Sequence, residues 1–213
     1  MNGIFITGSN TEVGKTTVAV EIARRLSKER KVRARKPVET DCPVVGGKYA
    51  PKDALALSEA CDNIEPIATI CPYCFELEAS PEKASHEAGK NLDLEQLVVA
   101  CRQDVGEDFA VVEGAGGFYS PIADKVLNAD LARSLNLPLV IVVRDELGAI
   151  SQALLTIEAA QKNKLSVACV VLNQIEINTL SNASALEAYT KIPVVCFSLT
   201  NLEQFWVDIE GLV

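Results

Sequence analysis

The chain alternates short apolar runs with longer segments in which apolar positions recur every three or four residues. Six short runs are continuously apolar and rich in Val, Ile or Ala: Ile4–Thr7, Val32–Ala34, Phe109–Val112, Leu139–Val143, Val167–Leu172 and Val194–Phe197. Strands that are covered on both faces have this pattern, because neither face meets water. The pattern therefore predicts a mainly parallel β-sheet with helices on both faces.

Five segments between these runs have the length and periodicity of helices: Lys15–Lys28, Leu92–Val105, Asn128–Leu135, Gly148–Asn163 and Ala183–Thr190. Asp93 and either Ser181 or Asn182 are suited to cap two of them, and Pro138 follows the end of another. With right-handed crossovers, this order of elements gives a single doubly wound α/β sheet. Its ligand crevice is expected at the carboxyl ends of the strands.

The composition fits one compact domain that spans residues 1–213. Hydrophobic residues make up 48% of the chain and charged residues 23%, and no internal repeat or low-complexity tract divides it. Residues 41–91 are the least periodic stretch and contain Gly46, Gly47 and several prolines. We expect this stretch to be loop-rich and to form the rim of the ligand crevice.

Charge and hydropathy argue against several classes of function. A formal net charge of −9 disfavours a broad surface for nucleic acid or anionic membranes, because both attract basic faces. No apolar run reaches the roughly 18 residues of a membrane span, and the first strand begins too early to leave room for a signal peptide. We therefore expect a cytoplasmic protein with no nucleic-acid or membrane partner.

Seven cysteines are scattered mainly through apolar segments, at positions 42, 61, 71, 74, 101, 169 and 196. This distribution is typical of reduced thiols in a reducing compartment. Cys71-Pro-Tyr-Cys74 raises the alternatives of a zinc site or a thioredoxin-like redox site, but His86 is the only histidine in the sequence. The favoured interpretation is two ordinary thiols in a loop or a short strand.

The first 17 residues have the features of a phosphate-binding loop. An apolar strand runs into a glycine turn, and Gly14, Lys15 and Thr16 stand at the start of the first helical segment. A chain that wraps around phosphate needs open backbone N–H groups, a cation for the β- and γ-phosphates and a hydroxyl for Mg²⁺. These three residues supply them in that order, so the sequence predicts a nucleotide-binding P-loop.

This loop is one residue longer than the common P-loop. Five residues separate Gly8 from Gly14, where four are usual. The longer loop places Thr11 and Glu12 beside the group that accepts the terminal phosphate. A chance strand, turn and helix is the alternative, and the matching context on both sides disfavours it.

Other polar residues stand at or just after the end of a predicted strand, or open a helical run. A ligand of such a sheet should bind at the carboxyl ends of its strands. Glu113 ends an apolar strand and is suited to reach Mg²⁺, although a solvated glutamate has the same pattern. Asp53 heads a helical run, and spacing alone favours an N-cap over a metal ligand. Lys36 either brings a second ammonium to the phosphates or is a surface lysine. Asn173 either hydrogen-bonds a nucleobase or begins a turn.

Several short motifs stand in a fixed order along the chain. They are Thr7-Gly-x-x-Thr-Glu-Val-Gly-Lys-Thr16, Lys36-Pro-Val-Glu-Thr40, Asp53-Ala-Leu-Ala-Leu57, Pro72-Tyr73, Ser80-Pro81, Val112-Glu-Gly-Ala-Gly-Gly117 with Pro121, Leu147-Gly148 and Ala153-Leu-Leu-Thr156. Together they resemble the dethiobiotin synthetase family. The long P-loop combined with Lys-Pro-Val and Glu-Gly-Ala-Gly-Gly is much more specific than any single motif.

The resemblance implies a P-loop NTPase-like fold and a ligase that forms carbon–nitrogen bonds. Its substrates would be 7,8-diaminopelargonic acid, CO₂ and ATP, and its product dethiobiotin, in the penultimate step of biotin synthesis. One amine captures CO₂ as a carbamate, ATP phosphorylates the carbamate, and the second amine displaces phosphate. In this scheme Thr16, Asp53 and Glu113 hold Mg²⁺, and Lys15 and Lys36 stabilise the carbamate and the transferring phosphoryl group.

The resemblance also implies the remaining contacts. Residues expected to bind the nucleotide and its Mg²⁺ are Glu12, Val13, Gly14, Lys15, Thr16, Thr17, Asp53, Glu113, Gly114, Ala115, Gly116 and Asn173. Thr11, also a candidate catalytic residue, and Thr40 are expected at the diamine and the carbamate. Family members are homodimers that hold the distal carboxylate of the substrate at a helix start across the interface. Here that helix start is Gly148, Ala149, Ile150 and Ser151.

Four places depart from the common pattern of the family. They are Glu146 before Leu-Gly in place of Lys, Ser151-Gln152 in place of Asn-His, Glu82 in place of His, and Ser198–Asn201 in place of an adenine-binding Gly-Glu-Ile-Pro loop. An acidic residue near a substrate carboxylate is unfavourable unless it points away. The phosphate contacts therefore transfer more directly than the distal carboxylate and base contacts.

Two other classes share this style of P-loop. ParA/MinD-like ATPases are nucleotide switches that bind a protein partner, and they carry an additional lysine early in the loop. This chain has Ser9-Asn10-Thr11-Glu12 there. Cobyrinate amidase-like enzymes need a further glutaminase region, for which we expect 213 residues to leave no space.

Overall fold

The computed structural model describes residues 1–62, 64–176 and 178–213. The strands are β1 (Asn2–Gly8), β2 (Val32–Arg35), β3 (Val38–Glu39), β4 (Val44–Val45), β5 (Lys48–Tyr49), β6 (Tyr73–Cys74), β7 (Phe109–Gly117), β8 (Pro121–Ala123), β9 (Val126–Leu127), β10 (Leu139–Arg144), β11 (Val167–Asn173) and β12 (Val194–Phe197). The helices are α1 (Lys15–Leu26), α2 (Lys52–Ala60), α3 (Ile67–Ile70), α4 (Pro81–Glu87), α5 (Leu94–Arg102), α6 (Asn128–Leu135), α7 (Ala149–Lys162), α8 (Asn182–Glu187) and α9 (Leu202–Ile209).

The six predicted apolar runs form one parallel sheet with the order β12-β11-β10-β1-β7-β2. The strand order reverses beside β1, which pairs with β7 on one side and β10 on the other. Parallel strands need crossover connections, and the helices between them supply these and cover both faces. The predicted doubly wound α/β sheet is confirmed. It brings the carboxyl ends of β1, β7 and β10 to one edge.

Side chains alternate between two apolar layers, one on each face of the sheet. Phe5, Val112 and Ile141 belong to one layer, whereas Ile4 and Ile6 belong to the other. The alternation follows from the two-residue repeat of a strand, which points neighbouring side chains to opposite faces. Because both faces are covered by helices, most positions of these strands are apolar. The sequence therefore lacks the alternation of a half-exposed strand.

The helix predictions are mostly correct in place and less accurate in length. Asp93 caps α5 as expected, and it forms a reciprocal capping box with Gln96. α8 ends at Glu187 rather than at Thr190, and Ser181, its N-cap residue, makes no side-chain capping hydrogen bond. The side-chain capping predicted at that end is therefore wrong for Ser181.

The prediction of a loop-rich stretch over residues 41–91 is only partly correct, because α2, α3 and α4 lie within it. α2 buries Ala54 and Leu57 in the same apolar layer as Val18 and Ile22 of α1. A nine-residue helix shows too few turns for its periodicity to stand out among the surrounding prolines and glycines.

The seven cysteines are free thiols. Cys71 follows α3 and Cys74 lies in β6, with their Sγ atoms 3.5 Å apart. Neither opens a helix, so the placement fits ordinary thiols rather than a thioredoxin-like motif. Within the three described ranges, no helix has the length and hydropathy needed to cross a membrane.

Candidate active site

The P-loop joins β1 to α1 and is supported from beneath by Asn173. Gly14 caps α1 with φ 87°, a left-handed conformation that favours glycine. The Asn173 amide donates a hydrogen bond of 2.9 Å to the carbonyl of Val13, and a Cβ at position 14 would lie 2.0 Å from the Asn173 Nδ2 atom. Position 14 therefore requires glycine for two reasons: its positive φ and the close approach of the Asn173 side chain.

Lys15 begins α1 and folds back over the loop. Its Nζ atom donates to the carbonyl of Asn10 at 3.0 Å, and the side chain is buried. Burial and the nearby Lys36 ammonium lower the pKa of Lys15 to about 8, against opposing effects of Glu113 and Asp53. Phosphate oxygens near Lys15 would favour its charged form.

Lys36 is fully enclosed between two carboxylates. Its Nζ atom lies 2.6 Å from Glu113 Oε1 and 2.7 Å from Asp53 Oδ2. Burial alone would lower the pKa of Lys36, but Glu113 and Asp53 outweigh burial and hold it above the ordinary value. The alternative of a surface lysine is wrong.

Glu113 is also buried, so the alternative of a solvated glutamate is wrong. It lies inside β7, which continues to Gly117 and does not end at Val112 as the sequence predicts. β7 shifts register where it passes Gly8 of β1, and Gly116 has φ 73°. The glycines of this segment interrupt the apolar run, so the sequence pattern ends before the strand does.

The three candidate metal ligands meet at this point. Thr16 Oγ1 donates to Glu113 Oε1 at 2.8 Å, and Lys36 links Glu113 to Asp53. Glu113 Oε2 is buried and has no hydrogen-bond partner among the residues that the structure describes. A hydroxyl and two carboxylates, one of which has a free buried oxygen, fit Mg²⁺, which prefers oxygen ligands and fills its other positions with phosphate and water.

Asp53 belongs to the first turn of α2 but does not cap it. The N-cap residue is Pro51, so the N-cap alternative is wrong for Asp53. Burial raises the pKa of its carboxyl, but Lys36, Thr16 and Lys15 together hold that pKa below the usual value. Asp53 is therefore an ionised partner of Lys36 at neutral pH.

Glu39 was not among the candidate residues, although it stands in the Lys36–Thr40 motif. Its two carboxylate oxygens accept hydrogen bonds from the backbone N–H groups of Asp53 and Ala54, at 2.9 and 3.0 Å. Burial and the Asp53 charge raise the pKa of Glu39 to about 7, against the opposing effect of these bonds and of Lys36. Residues distant in sequence form this arrangement, so spacing could not reveal it.

These side chains open into one cleft of about 650 Å³. The predicted residues that line it are Thr11, Glu12, Gly14, Lys15, Thr16, Thr17, Lys36, Thr40, Asp53, Glu113, Ala115 and Gly116. Glu39, Asp41, Glu78 and Ala79 line the same cleft without having been predicted to do so. The cleft is therefore lined by two neighbouring lysines and by several carboxylates.

Sequence comparison identifies the family. A family model described as an AAA domain matches residues 2–204. An ATP-dependent dethiobiotin synthetase from Vesicomyosocius okutanii is 49% identical over 213 residues, which cover 100% of this chain and 97% of that protein. A protein of the same name from Ruthia magnifica is 49% identical over 205 residues, covering 96% of this chain and 95% of its own. The chain belongs to the dethiobiotin synthetase family.

Comparison with solved structures supports the fold of this dethiobiotin synthetase family member. A ParA family ATPase from Chlorobium tepidum has a TM-score of 0.57 at 14% identity, covering 99% of this chain and 90% of its own. MinD from Pyrococcus horikoshii, complexed with Mg-ADP, has a TM-score of 0.55 at 17% identity, covering 98% and 86%. At such identities the likeness concerns the fold alone, and it confirms the P-loop NTPase-like prediction.

Some residues implied by the dethiobiotin synthetase resemblance lie outside the cleft lining. Val13 is buried within the P-loop and Asn173 is buried beneath it. The carbonyl of buried Gly114 lies 3.4 Å from the Lys36 Nζ atom. Gly148 caps α7 with φ 97°, and Ala149 N–H donates to the carbonyl of Glu146.

The helix start from Gly148 to Ser151 lies at the beginning of α7, next to the P-loop but outside the cleft lining. Ser9 of the P-loop segment donates to Gln152 Oε1 at 2.9 Å, which ties α7 to the loop. These four residues remain predicted contacts of the substrate carboxylate.

The departures from the dethiobiotin synthetase pattern have local partners. Glu146 Oε2 pairs with Arg144 Nε at 3.1 Å, so its charge is directed to a neighbouring cation. Glu82 Oε1 accepts a hydrogen bond from the backbone of Lys125 at 2.9 Å, which holds the turn between β8 and β9. Neither substitution places an acidic group in the cleft.

Proposed function

We propose that this chain catalyses ATP-dependent ring closure of 7,8-diaminopelargonic acid with CO₂ to give dethiobiotin, ADP and phosphate. The whole-chain identity of 49% to proteins named for this activity supports the assignment. The observation that carries it is the enclosure of Lys36 between Asp53 and Glu113, beside Lys15 of the P-loop. Such a site is suited to neutralise charge on a carboxylated substrate and on ATP together.

The proposed reaction has three bond-forming steps. An uncharged substrate amine attacks CO₂ and loses a proton, which gives a carbamate. A carbamate oxygen then attacks the γ-phosphorus of ATP, and the bond to the ADP oxygen breaks. The second amine attacks the carbamate carbon, phosphate leaves with the bonding electrons, and the amine proton is lost. The ureido ring is then closed.

Lys15 and Lys36 have separate roles in this scheme. We assign Lys15 to the β- and γ-phosphates, and Lys36 to the carbamate and the transferring phosphoryl group. Phosphoryl transfer depends mainly on positioning and charge neutralisation, so both ammonium groups act most strongly as negative charge develops. Thr11 and Thr40, on the wall of the same cleft, are assigned to the diamine and the carbamate.

Thr16, Asp53 and Glu113 are the proposed ligands of Mg²⁺. Their oxygens converge around Glu113, whose second oxygen is free to accept a further partner. When bound, Mg²⁺ would neutralise charge on the β- and γ-phosphates. Asp53 and Glu113 would then each interact with both the metal and Lys36. Glu12 to Thr17, Gly114 to Gly116 and Asn173 are the proposed nucleotide contacts.

We also propose a cytoplasmic homodimer in which α7 lies at the interface. Leu147 and Leu155 are 88% and 64% exposed, and Leu155 lines a cleft of about 420 Å³ with Phe118 and Tyr119. The N-terminus of α7, from Gly148 to Ser151, would hold the distal carboxylate of substrate bound to the partner subunit. Helix N-termini favour anions because their first N–H groups lack partners.

The proposed activity is tested by incubating the protein with 7,8-diaminopelargonic acid, bicarbonate and MgATP. Dethiobiotin formation that requires all three, with ADP and phosphate released in equal amount, is the expected result. A ParA/MinD-like switch would instead hydrolyse ATP at a rate independent of the diamine. That outcome, with no dethiobiotin detected, would reject the proposal.

A further inference from the structure

α2 begins without a capping side chain of its own. Its N-cap residue is Pro51, which makes no side-chain capping hydrogen bond. Glu39 supplies the missing acceptors from β3, through the bonds to the N–H groups of Asp53 and Ala54. The first N–H groups of a helix lack partners within the helix, and a carboxylate is a strong acceptor for them. Glu39, in β3, therefore caps the start of α2 from a different element.

Both carboxylate oxygens of Glu39 are engaged in hydrogen bonds to α2. Glu39 is 6% exposed, and each of its two oxygens accepts one of these backbone bonds. A buried carboxylate is costly unless its oxygens are hydrogen-bonded. The arrangement therefore fits a residue that holds α2 in place better than one that contacts substrate.

The same turn of α2 presents Asp53 to the site. The Asp53 side chain is 34% exposed, so packing does not hold it, and its carboxylate is restrained by Lys36 at 2.7 Å. Its backbone is restrained by Glu39. Lys36 and Glu39 belong to one short segment, so this segment fixes both the side chain and the main chain of Asp53.

We propose that Glu39 is a positioning residue that sets Asp53 for Mg²⁺-dependent nucleotide binding. The inference rests on the metal role of Asp53 in the proposed function. Outer-shell groups that orient a metal ligand typically change metal affinity by about 10- to 100-fold when they are removed. Loss of Glu39 should therefore raise the Mg²⁺ concentration needed for nucleotide binding, in addition to any loss of folding stability.

The test compares Glu39→Ala and Glu39→Gln with Asp93→Ala. Asp93 caps α5 by the same kind of bond but lies outside the cleft, so its variant is a matched control for losing a helix cap. Binding of a non-hydrolysable ATP analogue is titrated against Mg²⁺, and thermal unfolding is measured in parallel. We expect about 10-fold more Mg²⁺ for half-maximal binding in Glu39→Ala and an unchanged Mg²⁺ requirement in Asp93→Ala.

Glu39→Gln keeps one acceptor oxygen and turns an NH₂ group toward the other N–H. Its Mg²⁺ requirement should therefore lie between those of wild type and Glu39→Ala. It also provides the measurement if Glu39→Ala does not fold. Equal Mg²⁺ requirements in wild type and in the folded Glu39 variants would mean that Glu39 only caps the helix. That result would overturn the proposal. Binding is measured without the diamine, so absence of dethiobiotin synthesis would not by itself produce that result.

Discussion

At the scale of single residues, the site depends on a buried lysine. Lys36 and Glu113 are both enclosed, and removing Lys36 would leave the buried Glu113 carboxylate without its ion-pair partner. Breaking a buried ion pair by removing one partner typically costs about 3–5 kcal/mol, because the remaining charge stays buried. Asp53 is partly exposed, so its contribution to this figure is smaller. The proposed role of Lys36 in the reaction is therefore coupled to its role in stability.

Lys36→Gln should separate nucleotide binding from turnover. The charge of Lys36 matters most as negative charge builds in the transition state, so we expect kcat to fall by about 10²-fold or more while ATP affinity changes little. Steady-state kinetics and calorimetry measure the two effects. Lys52→Gln is the control, since Lys52 is an exposed lysine paired with Asp41. Wild-type turnover in Lys36→Gln would remove Lys36 from the reaction.

Lys15 should take up protons when nucleotide binds. In the free protein its pKa is lowered to about 8, so the neutral form grows as pH rises through 8. Phosphate favours the charged form and raises the pKa, so binding near pH 8.5 should take up a proton, and affinity should fall as pH rises. Calorimetry in buffers of different ionisation enthalpy measures the uptake.

Lys15→Arg is the control for this experiment, because a guanidinium stays protonated throughout the range. It should bind nucleotide without proton uptake near pH 8.5. Equal uptake in both proteins would assign the proton to another group and contradict the prediction for Lys15.

At the scale of secondary-structure elements, the P-loop is held by the end of a neighbouring strand. Asn173 ends β11, and its side chain reaches the Val13 carbonyl beneath the loop. The sequence predicts Asn173 as a base contact or the start of a turn. Its observed bond supports the loop, and its contact with nucleotide stays a prediction.

Gly14→Ala should destabilise the protein more than Gly89→Ala does. Both glycines have positive φ, but an added Cβ meets the Asn173 amide at position 14 and open space at position 89. Backbone strain alone costs about 1–2 kcal/mol, so any excess measures the clash. Denaturant unfolding gives the free energies. Asn173→Ala should cost less in the Gly14→Ala background than in wild type, and additive costs would contradict the clash.

At the scale of the whole molecule, the two faces of the sheet carry different exposed surfaces. α7 covers one face and shows Leu155, and α9 covers the other and shows Val207, which is 68% exposed. Exposed apolar side chains beside a cleft are a common feature of protein interfaces. The proposed homodimer would bury the α7 side.

Leu155→Glu should produce a monomer that binds ATP but makes little dethiobiotin, because the partner subunit would no longer hold the substrate carboxylate. Sedimentation measures the mass, and substrate titration should show a raised KM for the diamine. Val207→Glu is the matched control and should remain a dimer. A dimeric Leu155→Glu with normal KM would place the interface elsewhere.

Much of the fold follows from local pattern. Continuous apolar runs locate the six parallel strands because burial on both faces favours apolar residues at successive positions. The pattern is less informative for α2 and for the end of β7, where short length and glycine weaken it. Helix ends such as that of α8 depend on packing, which sequence spacing does not describe.

By itself, the sequence determined the parallel sheet, the P-loop and the family, because each is carried by neighbouring residues or by motifs in order. Only the tertiary structure decided that Lys36 is buried between Asp53 and Glu113, and that Glu39 holds the start of α2. These contacts join residues from separate elements. Their distances are set by strand register and helix placement, which depend on the packing of the whole sheet.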